Sequence, residues 1–146
     1  MAAGGTEIAL AQAAGEYGGM YISHMRNEGD SLLEAFDEFL TIVQEANVAG
    51  EIYHLKASGR ANWPKLDTLI QRIDEARGRG LAISANMYTY HACSTGLDST
   101  MPPWLQEGGH QAWMQRLRDP AVRARLRTMM NEPSTAWENL YPRFPR

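Results

Sequence analysis

Cysteine and long apolar runs are scarce in this sequence. Its 146 residues include one cysteine, Cys93, which excludes an internal disulfide and is typical of a protein from a reducing cytoplasm. No apolar run approaches the roughly 18 residues that a membrane helix requires. The opening residues, MAAGGTEIAL, lack the basic flank and apolar core of an export signal. We therefore expect a cytoplasmic protein that does not contact a membrane.

Positive charge is scarce in the first part of the chain and concentrated in the last. Residues 1–54 contain nine acidic residues and a single basic one, Arg26, whereas five arginines occur within residues 116–127 alone. No aromatic residue lies between those arginines, as it would in a surface that stacks nucleic-acid bases. Val122, Leu126 and Met129 share a helical face from which the arginines are largely absent. The arginines are thus expected on a solvated helix face, and no nucleic-acid partner is expected.

The common motifs of nucleotide-binding and hydrolytic sites, such as the P-loop, GxGxxG, GxSxG and HExxH, are also missing. What the chain has instead is a repeated unit. After an alanine-rich helical stretch that stops at Gly18 and Gly19, the runs MYIS, GEIYH and LAISANM each predict a short strand. Helical patterns separate these runs, and strands that alternate with helices indicate an α/β fold with a parallel sheet.

Two helices are predicted between the strands. Ser31 and Glu34 form a capping-box pattern at the start of the first, which ends near Asn47, a residue that tolerates the left-handed conformation. Pro64 is expected at the first position of the second, which ends at Gly78 and Gly80. The apolar stripes of the two helices are Leu33, Phe36, Leu40 and Val43, then Leu66, Leu69, Ile70 and Ile73.

The repeated pattern stops near residue 90. A long stretch rich in Ser, Thr, Gly and Pro follows, then HQAWMQRL as a short helix and a further helix that begins at Asp119 and Pro120. We expect residues 1–90 to form βα units and residues 91–146 to form a long loop, a helical segment and an irregular tail.

The four histidines include two in equivalent positions. His24 and His54 each lie at the carboxyl end of a predicted strand, and their separation of thirty residues is close to the length of one βα unit. In parallel α/β proteins, functional residues gather at the carboxyl ends of the strands, where two imidazoles on neighbouring strands can bind one metal ion. A hydrogen-bonding role in a loop is the alternative. His91 and His110 lie in loop-like sequence without such a register.

Other polar residues follow the same strands. Lys56 comes two residues after His54, Tyr88 ends the third strand, and Ser94 lies in the loop beyond it. A cation there could bind a substrate carboxylate or phosphate, and the phenol and hydroxyl could orient a polar substrate. A solvated lysine and a packing tyrosine are the alternatives. Cys93 has no neighbour that would activate its thiol.

Three stretches, YISHMRNEGDSLLEAFDE, IYHLKASGRANW and MYTYHACSTGL with MPPWLQEGG, resemble the D-aminoacylase (N-acyl-D-amino-acid deacylase) family of the amidohydrolase superfamily. The resemblance implies a metal-dependent (β/α)8 TIM barrel that hydrolyses the amide of an N-acyl-D-amino acid through a metal-activated water, with zinc as the expected metal. By motif, His24 and His54 match its metal ligands, and Lys56, Tyr88 and Ser94 match residues around the substrate's carboxylate.

The chain also departs from that family. A first-strand His-x-His pair, an upstream cysteine ligand and a catalytic aspartate have no counterpart, and Cys93 is in the wrong place to replace the cysteine. Asn86 stands where the family usually has an acidic residue. We therefore expect a partial barrel of about three βα units plus part of an insertion. No catalytic residue is expected in this chain, and by itself it is expected to be an inactive fragment.

Open strand edges would then favour self-association or pairing with a complementing chain. A non-catalytic remnant or interaction domain that keeps the barrel scaffold is one alternative. Another is a different small-molecule α/β enzyme that uses the same strand ends without a metal.

Overall fold

The computed structural model describes residues 5–90 and 94–132, together with 137, 139 and 141. The chain divides into two compact units, Met1–Thr89 and Tyr90–Arg146.

The first unit alternates strands and helices. The three strands form one parallel sheet in the order β1-β2-β3, and Ile52 pairs with Ser23 on one side and with Ala85 on the other. This topology confirms the α/β fold expected from the sequence. Its elements are α1 (Gly5–Gly15), β1 (Met20–Ser23), α2 (Leu32–Ala46), β2 (Ala49–Ile52), a 3-10 turn (Arg60–Asn62), α3 (Lys65–Gly78) and β3 (Ile83–Ala85).

The core of the first unit lies between the sheet and the helices α2 and α3. Leu32, Phe36 and Leu69 are fully buried there, because apolar residues three or four positions apart share one helical face. Burial of each such side chain stabilises the fold by about 1.5–3 kcal/mol. The expected stripe of α3 is wrong at one position, since Ile70 is 45% exposed while its neighbour Leu69 is buried.

The helix ends agree only in part with the sequence prediction. Asn47 adopts the left-handed conformation (φ 53°) and its N–H donates to the last carbonyls of α2, as expected. The capping box is wrong, because the Ser31 side chain makes no capping hydrogen bond. The Asn27 side chain instead accepts the N–H groups of Gly29 and Ser31, which fixes the turn before the helix. Pro64 immediately precedes α3 rather than beginning it.

Gly50 lets the sheet approach α2 closely. A Cβ atom at this position would lie 2.5 Å from Val43 Cγ2 and 2.8 Å from Phe39 Cζ, well inside van der Waals contact. A larger residue on β2 would therefore push the helix away from the sheet.

The opposite face of the sheet carries Met20, Ile22 and Glu51. Met20 and Ile22 are 43% and 50% exposed, and Ile22 pairs with Glu51 across the strands. Within the described part of the unit, the helices cover one face of the sheet and leave this face accessible.

The second unit is helical where the structure describes it. The long loop expected after residue 90 contains a 3-10 turn (Leu97–Thr100) and a short helix, α4 (Pro103–Gln106), followed by α5 (Gly109–Arg118) and α6 (Pro120–Asn131). The side chain of Asp119 accepts the N–H of Ala121 at 2.8 Å, which confirms it as the cap of α6. Across the described residues of both units, no helix has the length and apolar character to cross a membrane.

Candidate metal centre

His24 and His54 meet at the carboxyl edge of the sheet. His24 directly follows β1, and His54 lies two residues beyond the last residue of β2. Because Ser23 and Ile52 are paired in register, the two strands end side by side. Nδ1 of His24 lies 3.3 Å from Nε2 of His54, and the ring centroids are 4.9 Å apart. The structure thus brings together the two histidines that the strand pattern singles out.

Glu28 is a third member of this cluster, and the sequence prediction missed it. Its side chain is 6% exposed, and Oε1 lies 3.2 Å from Nδ1 of His24 and 2.9 Å from Nδ1 of His54. The three residues offer ligand atoms that all lie within 4.8 Å of one another. Its only sequence signal is an acidic residue in the loop that leaves the same strand end as His24, and Asp30 in that loop gives the same signal.

This donor set fits a zinc ion. Two imidazole nitrogens and one carboxylate oxygen are a common set of protein ligands for zinc. Ligands roughly 2.0–2.1 Å from a tetrahedral zinc lie about 3.4 Å from each other. The separation of the two imidazole nitrogens, 3.3 Å, and that of Glu28 from His24, 3.2 Å, are close to that value. The residues present could therefore hold such an ion, since one ligand atom from each lies within 4.8 Å of the other two.

The loop between β1 and α2 fixes the position of Glu28. The backbone carbonyl of Glu28 accepts the N–H of Ser58 at 2.7 Å, which ties this loop to the one that follows β2. Arg26 makes a two-pronged hydrogen bond to Glu38 on α2, at 2.7 and 2.9 Å. Hydrogen bonding and charge from Glu38 raise the pKa of Arg26 above its usual value, so this anchor stays charged. The loop is thus fastened at Arg26, between His24 and Glu28, and at Glu28 itself.

Lys56 neutralises the buried carboxylate. Its Nζ lies 2.6 Å from Oε2 of Glu28 and 2.7 Å from Nδ1 of His54. The ammonium also lies 5.6 Å from the centre of the Tyr88 ring. A buried carboxylate is costly unless it is paired, so Lys56 and the histidines are what make a buried Glu28 tolerable here. Lys56 and Tyr88 therefore lie beside the histidine pair, where the sequence predicted them. Their predicted contact with a substrate remains a prediction.

The remaining candidates lie in the second unit. Ser94 is exposed and belongs to the unit Tyr90–Arg146, so its predicted role near a substrate stays a prediction. His110 is exposed on α5. His91 and Cys93 lie outside the described residues.

Two curated relatives match part of the chain. An N-acyl-D-glutamate deacylase of Alcaligenes xylosoxydans xylosoxydans is 36% identical over 86 residues, which are 59% of this chain and 18% of the relative. A D-aminoacylase of the same organism is 32% identical over 90 residues, 62% of this chain and 18% of the relative. No protein-family model matches the sequence. The chain thus spans less than a fifth of the length of these relatives.

Solved structures of similar proteins also match part of this chain. One is D-aminoacylase, described as defining a novel subset of amidohydrolases, with a TM-score of 0.55 and 28% identity. Another is N-acyl-D-glutamate deacylase from Bordetella bronchiseptica in complex with zinc and a phosphonate that mimics the tetrahedral intermediate, with a TM-score of 0.55 and 31% identity. Each match covers 57% of this chain and 18% of the other.

These matches agree with the fold and with the motifs. The three parallel strands and their helices correspond to part of the TIM barrel of these amidohydrolases, as the sequence predicted. The resemblance inferred from the HMRNE, YHLK and YTY blocks is confirmed: in sequence and in fold, this chain is similar to a segment of the D-aminoacylases, which are amidohydrolases.

Proposed function

We propose that the first unit carries part of the metal-dependent active site of an amidohydrolase that cleaves the amide bond of N-acyl-D-amino acids. The convergence of His24, Glu28 and His54 at the carboxyl edge of the sheet is the observation that carries the proposal. It is supported by similarity to proteins that are named for this substrate class, one of which was solved with zinc.

His24 and His54 would hold a zinc ion, with Glu28 as the carboxylate closest to both. When bound, the ion would supply Lewis acidity, which activates a water molecule and polarises the scissile carbonyl. Glu28 has a further task whether or not it ligates, because its Oε2 holds the ammonium of Lys56 at 2.6 Å. One carboxylate therefore sets the positions of both the histidines and the cation.

Lys56 would bind the carboxylate of the substrate, with Tyr88 beside it. An ammonium has three N–H donors, so Lys56 can keep its contact with Glu28 while it donates to an incoming carboxylate. Its side chain is 26% exposed, which leaves part of it accessible from solvent. The hydroxyl of Ser94 is the third group proposed for the same carboxylate, on the strength of the motif resemblance alone.

Zinc binding tests this proposal. The purified 146-residue chain is dialysed to equilibrium against zinc, and its metal content is measured. We expect about one tightly bound zinc per chain, and none in the double variant His24→Ala, His54→Ala, because only the Glu28 carboxylate of the donor set then remains. The matched control is His110→Ala, which removes an exposed histidine from α5 and should bind as much zinc as the wild type. Equal zinc in all three proteins would overturn the proposal.

A further inference from the structure

His54 has an unusual backbone conformation. Its φ is +43°, and among the described residues other than glycine only Asn47 shares a positive φ. A positive φ is uncommon for residues other than glycine and costs free energy, which contacts from the surroundings can offset. Asn47 ends a helix, where this conformation is common. His54 ends no helix, and something else must hold its turn.

Asn86, one residue past the end of β3, holds that turn on both sides of His54. Its side-chain Oδ1 accepts the N–H of His54 at 2.7 Å. Its backbone carbonyl accepts the N–H of Leu55 at 2.8 Å, and its own N–H donates to the carbonyl of Ile52 at 3.1 Å. The backbone bonds continue the parallel sheet, whereas the side-chain bond reaches the histidine itself.

The other end of the Asn86 amide is fixed as well. Its Nδ2 donates to Oε1 of Glu51, and the hydroxyl of Ser84 donates to Oε2 of Glu51 at 3.2 Å. Glu51 pairs with Ser84 across β2 and β3, so the three side chains share one face of the sheet. An amide offers an acceptor at one end and a donor at the other, and both are used here. An aspartate at position 86 could accept the N–H of His54 but would oppose the charge of Glu51.

We infer that Asn86 is a positioning residue that, oriented by Glu51, holds His54 in its left-handed turn with the imidazole facing His24 and Glu28. The inference rests on the proposed metal centre for its functional meaning. The geometry on which it stands, however, involves only the chain's own residues. According to this inference, Glu51 on β2 and Asn86 after β3 help to position the ligands, which themselves follow β1 and β2.

Amide hydrogen exchange of the metal-free chain, followed by NMR, tests the contact directly. We expect the His54 N–H to be protected in the wild type and to exchange about tenfold or more faster in Asn86→Ala, because one hydrogen bond is lost. Ser84→Ala, which removes a partner of Glu51 but leaves Asn86 in place, should retain most of the protection. The Leu69 amide in α3 reports whether the fold itself has loosened and should exchange at the same rate in all three. A His54 N–H that exchanges equally fast in the wild type and in Asn86→Ala would overturn the inference.

Zinc affinity supplies the second readout. Asn86→Asp should bind zinc about 10–100-fold more weakly, the usual effect of disturbing a group that orients a metal ligand. The double variant Asn86→Asp, Glu51→Gln should recover most of that loss, since an amide at position 51 can donate to a carboxylate at position 86. A purely structural role would not predict this recovery. Unchanged affinity in Asn86→Asp, or no recovery in the double variant, would contradict a positioning role.

The two proposals fail in different ways. A wild-type chain that binds no zinc would contradict the metal centre. Exchange of the His54 N–H decides the role of Asn86 in either case, because that measurement is made without metal.

Discussion

At the scale of single residues, the cluster is organised around one buried carboxylate. Glu28 has its two oxygens directed to different groups, with Oε1 near the histidines and Oε2 near Lys56. Burial of a carboxylate costs free energy unless such partners compensate its lost hydration. The arrangement therefore couples the proposed metal ligands to the cation proposed for the substrate.

Replacing this carboxylate by an amide of the same shape should weaken metal binding. In Glu28→Gln we expect zinc affinity to fall about 10–100-fold, because a negatively charged oxygen next to both imidazoles is lost. Competition with a chelating indicator measures the change. Glu34→Gln, on the exposed side of the first turn of α2, is the matched control and should bind zinc like the wild type. If Glu28→Gln binds zinc as tightly as Glu34→Gln and the wild type, Glu28 has no part in the site.

The residues of the site were predictable to different degrees. His24 and His54 could be paired from sequence because parallel strands of equal register end together. Glu28 could not be singled out, because two acidic residues occupy the same loop and the turn decides which one faces inward. Asp30 turns away and accepts a hydrogen bond from Asn62 at 3.0 Å. The positive φ of His54 could not be predicted from the local sequence, because it depends on Asn86, which lies more than thirty residues later.

At the scale of elements, the helices and strands follow from periodicity, but their exact faces do not. The strand MYIS occupies the residues expected for it, and Asn47 ends α2 as predicted. The apolar stripe of α3 is narrower than its sequence suggests, since Leu69 and Ile73 are buried and Ile70 is not. Because apolar and charged residues are interspersed along α3, several rotations of the helix about its axis would turn an apolar face towards the core. Packing against α2 and β3 selects one of them.

Two adjacent residues of α3 make this distinction measurable. Leu69→Ala should lower the free energy of unfolding by about 2–5 kcal/mol, because it leaves a cavity in the core. Ile70→Ala removes a side chain that is 45% exposed, and we expect a loss below about 1 kcal/mol. Urea denaturation followed by circular dichroism gives both values. Similar losses in the two variants would mean that α3 is rotated relative to the structure.

At the scale of the whole molecule, the sheet corresponds to part of the TIM barrel of the amidohydrolases that the chain resembles. A closed barrel has no strand edges, whereas the three described strands leave the outer edges of β1 and β3 unpaired within the described residues. Met20 and Ile22 are half exposed on the face that the helices do not cover. Association through these edges, with a second copy or a complementing chain, remains a prediction from the open sheet.

The 146-residue chain should bind zinc without being an efficient hydrolase. Catalytic zinc sites combine three protein ligands with a group that transfers a proton, and the sequence has no counterpart of the His-x-His pair or of the catalytic aspartate that the resemblance implies. With N-acetyl-D-methionine as substrate, we expect the zinc-loaded chain to be no faster than His24→Ala, His54→Ala. Turnover by the zinc-loaded wild type that this double variant lacks would contradict the prediction, because the chain would then contain a complete active site.

Whether His24, Glu28 and His54 form the metal centre can be measured by X-ray absorption at the zinc edge of the zinc-loaded chain. We expect a shell of nitrogen and oxygen ligands at about 2.0–2.1 Å that includes two imidazoles, with no sulfur at about 2.3 Å. In Glu28→Gln the imidazole signal should persist. A sulfur ligand, which only Cys93 or a methionine could supply, or a spectrum without imidazole would mean that these three residues do not form the centre.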